Sequence, residues 1–221
     1  MSSTTGCTVS TGPRRHQFWQ HNQYHPRMNL RIAKSWEWSS GIVLDGGYVI
    51  NDYQATVEMQ APSDNEAEHL RALERQRWWI SDVMQDAVVM AYDDRLVNLY
   101  QQTGQRVIAL PYPPFDHTLL VMLYCKLNAI MEQRLVISQI YLSSQQGQGV
   151  VYSHQAEDDL FDFVLDGWWC ESHPVWANGS PRADQESVIA LERMLDWHDL
   201  GLAWPNHPDS SEIVDFRNGK K

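Results

Sequence analysis

Four stretches of alternating apolar side chains, split two and two by a pair of helical stretches, most constrain what this chain can fold into. From Met28 to Ser40, apolar residues recur at Leu30, Ile32, Trp36 and Trp38 with polar residues mostly between. That is the period of a strand with one buried face. Asp45-Gly46-Gly47 supplies a turn. A second strand follows, with Tyr53, Ala55, Val57 and Met59 on one side and Gln54, Thr56, Glu58 and Gln60 on the other. The later half runs from Val107 to Tyr152: a short strand, a helix entered through Pro113 and Pro114, and a hairpin.

The helices have their own period. Pro62-Ser63-Asp64 ends the second strand and offers N-cap side chains. Leu70, Leu73, Ile80, Met84, Ala87, Val88 and Ala91 then predict one helix over 66–91, with Arg71, Glu74, Arg75 and Arg77 as its solvated face. In the next helix Asp116 is the expected cap, and Leu119, Leu120, Leu123, Leu127, Ile130 and Met131 form the buried stripe. A strand over 135–144 turns through Gln145-Gln146-Gly147-Gln148 into Val150-Val151-Tyr152. Residues 1–27 show no period and read as a flexible N-terminal arm; 28–165 form the main domain. Residues 166–221 read as a Trp-rich C-terminal extension packed on it, with a helical face at Val188, Leu191, Met194 and Leu195.

At 221 residues, 43% of them hydrophobic, the chain can build a core without a disulfide or metal staple. A net charge of −11 argues against general nucleic-acid binding, which needs clustered cations. Cys7, Cys125 and Cys170 are odd in number and widely spaced, so they read as reduced thiols of a cytoplasmic protein. No apolar run is long enough for a membrane span, so no membrane role is expected. The ten Trp are expected to fill core or subunit contacts.

Element order and several local patterns resemble the 6-pyruvoyl-tetrahydropterin synthase and 6-carboxytetrahydropterin synthase family. NDYQATVEM resembles the strand after its HGHNY motif; SDVMQDAVVMAYDDRLVN resembles a helix followed by its D-H-x-x-L-N motif. PYPPFDHTLLVMLYCKL resembles the start of its second helix, and RLVISQIYLSS the strand that ends in Glu-Thr. The resemblance covers about residues 29–152. It implies an α+β tunnelling fold: a four-stranded antiparallel sheet with two helices on one face, closed by assembly into a homo-oligomer. It also implies a purine- or pterin-like ligand near Asn51 and Ser143, and Asp93 as a catalytic acid/base.

The family's chemistry is not matched. Val49-Ile50-Asn51 stands where HGH would be, the first strand has no His, and no Cys precedes this position in Asp45-Gly46-Gly47-Tyr48. Asp93 matches the Asp of the D-H pair, but Asp94 replaces the His; Leu142 falls where the ring-anchoring Glu would be. Zinc needs imidazole, thiolate or carboxylate donors, so no cofactor is expected. His16, His21 and His25 are the only replacement ligands under an enzyme alternative, and the ordinary reading of that arm is scattered histidines. Cys170 and His173 lack further partners, and the Asp158, Asp159, Asp162, Asp166 run lacks calcium-loop spacing. Adjacent Asp93 and Asp94 read as capping or surface groups.

Three functions follow as expectations. The first is a non-catalytic, oligomeric binding or scaffold module. The second is a pterin or 7-deazapurine pathway enzyme with a rearranged metal site. The third is an assembly protein that meets a partner through Trp168, Trp169 and Trp176.

Overall fold

The first two strands form one long hairpin in the computed structural model, which describes residues 30–158, 167–174 and 196–205. β1 (Arg31–Leu44) and β2 (Gly47–Gln60) pair antiparallel from Arg31 opposite Gln60 to Leu44 opposite Gly47. Asp45 and Gly46 make the turn at φ 52° and 75°, the left-handed pair that a two-residue hairpin favours. The alternation read from sequence sets the register: Trp36, Trp38, Tyr53, Ala55, Val57 and Met59 are buried on the inner face. At Gly41 the Tyr48 ring lies against the backbone where any side chain would collide with it.

α1 (Glu66–Trp78) starts at Asn65, whose side chain accepts from the Glu68 N–H at 3.3 Å. The helix expected over 66–91 does not continue. It passes into a π-helical turn, Trp79–Met84, and breaks at Asp86, where φ is 60°. Residues Val88–Ala91 are then a strand, β3, parallel to β1. A short apolar run fits either period, and pairing beside β1 decides it. α2 (Val97–Gln102) connects β3 to β4 (Val107–Leu110), again parallel. α3 (Asp116–Met131) leads to β5 (Val136–Ser144) and β6 (Val151–Gln155).

The sheet order is β4-β3-β1-β2-β5-β6. This overturns the four-stranded antiparallel sheet: among the described residues six strands form a mixed sheet, with three α-helices rather than two. The overall class is still α+β. Parallel pairs need crossovers, and α1 and α2 lie in the connections that bring β3 beside β1 and β4 beside β3.

Alternation divides the apolar residues between two faces. α1 and α3 cover the inner face, where Val89, Ile108 and Leu110 join the main core. On the other face α2 covers only one end of the sheet, over Val43, Val88, Met90 and Val107. The rest of that outer face is uncovered among the described residues and mostly polar: Ser35, Glu37, Gln54, Glu58 and Ser153 are exposed, and so are Ile50 and Val151.

Two charged residues depart from the amphipathic reading. Arg75, assigned to the solvated face of α1, is 2% exposed. Its guanidinium lies 3.8 Å from the Trp204 ring centre and 4.6 Å from that of Trp197, and bonds Leu202 O at 2.9 Å and Glu132 at 2.9 Å. Burial lowers its pKa to about 10, against the pull of Glu132. Lys126 on α3 is also fully buried, its amine bonded to backbone carbonyls in and just after the 3-10 turn Trp168–Cys170 that packs on the helix. Asp116, the expected cap of α3, is instead its first helical residue; Phe115 holds the cap position.

Candidate functional site

Polar side chains gather on the inner face where β1, β2 and β5 meet the N-terminus of α3. The register places Trp38, Tyr53 and Ser144 in one row across the three strands, with Ser40 opposite Asn51 in the next. Trp38 and Tyr53 stack at 5.2 Å with 14° between planes. Ser144 Oγ donates to Asp116 Oδ2 at 2.8 Å and accepts the Gly147 N–H at 3.0 Å. A β-carbon on Gly147 would lie 2.7 Å from that carboxylate oxygen, so a side chain there would displace Asp116. Asn51 Oδ1 accepts the Gln146 N–H at 3.0 Å, tying β2 to the β5–β6 turn.

Among the described residues, three donors in this cluster lack a hydrogen-bond partner: Trp38 Nε1, Asn51 Nδ2 and the Tyr53 hydroxyl. Their residues are 4%, 1% and 3% exposed. Burial raises the Tyr53 pKa well above the usual phenol range; the nearby Asn51 side chain pulls it back and the Asp116 charge pushes it up. Buried polar groups are seldom orphaned, and this set offers hydrogen bonds to an acceptor beside a carboxylate. It contains no nucleophile–base relay: the acidic partner of Ser144 is Asp116, with no imidazole between them.

The sequence-predicted residues are only partly brought together. Asn51 lies in the cluster. Ser143 does not: it pairs with Gln54 and Val151 on the outer face, and its neighbour Ser144 points inward. A one-residue change of position on a strand moves a side chain to the opposite face. Asp93 is exposed on the turn after β3, while Asp94 accepts the Leu96 N–H at 2.8 Å in the turn that precedes α2. Leu142 is fully buried in the core.

Trp168 and Trp169 pack inward on α3 and the main core, and Trp168 Nε1 donates to Ala109 O at 3.0 Å. Trp176, His16, His21 and His25 lie outside the described residues, as does most of the predicted helix around Val188 to Leu195. Among the described residues, no group of three or more His, Cys, Asp or Glu is placed to hold a metal. Sequence reasoning missed Trp38, Tyr53, Ser144 and Asp116 as a cluster. The signal was present: the inner stripe from Met59 back to Tyr53 reaches Asn51 by one further step of two.

No family model and no curated protein matches the chain. Among solved structures, the crystal structure of an uncharacterized protein, WS1659 from Wolinella succinogenes, is similar over 59% of this chain and 100% of that one. The identity is 11% and the TM-score 0.44. Among the described residues, no helix is long and apolar enough to cross a membrane.

Proposed function

We propose that the chain is a non-catalytic binding and assembly module of the cell interior, acting as a homo-oligomer joined through β6. One observation carries this reading. β6 ends the sheet with no described strand on its outer edge, and Val150 and Val151 beside that edge are 49% and 60% exposed. Unpaired N–H and C=O groups along an edge are a template for another strand. A second copy offers the same edge, and a twofold axis makes the contact self-complementary. The open polar face of β1, β2 and β5 then continues across both subunits as a binding surface.

The dispersal of the expected catalytic residue and the expected ligand-binding residues supports the non-catalytic part. Asp93 is exposed on one loop, Asn51 is buried on β2, and Ser143 faces outward. Val151→Lys combined with Ser153→Lys tests the edge, because both side chains flank it and like charges repel across a paired strand. Sedimentation velocity is expected to show an oligomer for the native chain and a folded monomer for the double variant. An unchanged oligomer in the variant would remove β6 from the interface.

A second reading has its own support. The three orphaned donors around Asp116 suit a small ring that accepts hydrogen bonds on one edge and donates on another, as purine- or pterin-like rings do. Native mass spectrometry tests it through a retained mass that disappears with Asn51→Leu.

A further inference from the structure

Cys125 lies on the side of α3 that the Trp168–Cys170 turn covers, and the Cys170 side chain is its hydrogen-bonding neighbour. Neither sulfur is in a disulfide. The next residue on the helix, Lys126, drives its ammonium into the same turn. Nζ donates to the carbonyls of Glu171 at 2.7 Å, His173 at 2.8 Å and Trp168 at 3.4 Å. The turn is therefore folded around the buried Lys126 amine, with bonded carbonyls on both sides of Cys170.

The two thiols differ in what surrounds them. Cys125 is 8% exposed, whereas Cys170 is half-buried. Contact with Cys170, then burial, holds the proton on Cys125 and raises its pKa. Burial lowers the Lys126 pKa to about 7, against the pull of the Glu171 and Cys170 charges, and the thiolate is the attacking form of a cysteine. One less buried sulfur in contact with one sheltered sulfur is the arrangement of an attacking and a resolving thiol.

We infer that Cys125 and Cys170 form a thiol–disulfide exchange site whose substrate is a low-molecular-weight disulfide of the glutathione class. The Cys170 thiolate attacks one sulfur of the small disulfide, forming a mixed disulfide and expelling one small thiolate. Cys125 then attacks the Cys170 sulfur, forming the internal disulfide and expelling the second. The cysteine pair loses two electrons, the small disulfide gains two, and both cysteine protons end on the released thiols. The product ties the turn covalently to α3.

The test uses the full chain with Cys7→Ser, exposed to glutathione disulfide and read by intact mass and peptide mapping. The expected product has lost two hydrogens, carries a Cys125–Cys170 link, has released two glutathione thiols and reverts with dithiothreitol. With Cys125→Ser added, one glutathione is expected to stay on Cys170. With Cys170→Ser instead, modification of Cys125 is expected to be at least about tenfold slower. Stable glutathionylation of Cys170 while Cys125 is present would overturn the inference. So would both thiols staying reduced under conditions that oxidise the denatured chain.

Discussion

Ser144 and Tyr53 sit side by side across two strands yet depend differently on their hydroxyls. Ser144→Ala strips the Gly147 N–H and one Asp116 oxygen of a partner at once, and is expected to cost about 1–3 kcal/mol in urea unfolding. Tyr53→Phe removes a buried hydroxyl that lacks a hydrogen-bond partner among the described residues, so stability is expected to change by less than about 1 kcal/mol, toward greater stability. A large loss in Tyr53→Phe would mean that a bound water or ligand satisfies that hydroxyl. His154 gives a pH-dependent prediction. It is buried with Nε2 unpartnered and its ring 4.5 Å from that of Tyr124, and burial lowers its pKa, with Asp158 opposing. Below its ordinary value of 6.5 the unfolded chain binds a proton there that the folded chain refuses. Acidification through that range therefore destabilises the fold, with a slope of at most about 1.4 kcal/mol per pH unit. His154→Gln is expected to flatten this part of the pH–stability curve.

Among the elements, the most informative contact joins residues 196–205 to α1 and α3. The Trp204 ring lies between the guanidinium groups of Arg75 and Arg134, 3.8 and 4.6 Å from its centre, and Trp204 Nε1 donates to Glu132 at 2.9 Å. Trp204→Ala is expected to cost about 3–5 kcal/mol. Because the lost contacts belong to one docked segment, hydrogen exchange is expected to rise first at Leu202, whose N–H bonds Trp197 O at 2.7 Å, before the β1–β2 hairpin opens. Simultaneous loss of protection in both would contradict separate docking. This contact was not legible in the sequence, where Arg75 sits in a charged run that ordinarily faces water. Its burial depends on two tryptophans far along the chain. The hairpins were legible because period-two alternation is local: Tyr53, Ala55, Val57 and Met59 fall inward as the pattern requires. β3 was not, since four successive apolar residues carry no period and the break at Asp86 is a non-glycine residue at positive φ.

At the scale of the molecule, that missed strand changes the account most. Reading Val88–Ala91 as helix leaves the two hairpins as the whole sheet and yields the four-stranded antiparallel expectation. As a strand, it starts a parallel extension on the β1 side and gives six strands with α2 on the far face. The polar cluster was half legible: Asn51 was singled out from sequence, whereas the choice between Ser143 and Ser144 rested on one step of register that only the observed pairing fixes. The extension on the β3–β4 side also leaves β6 as the strand whose flank is exposed, and the proposed function rests there. Native mass spectrometry of the purified chain at micromolar concentration is the most direct test of that central claim. The account predicts a homo-oligomer that becomes a folded monomer with Val151→Lys and Ser153→Lys; a native chain that is monomeric under those conditions would contradict it.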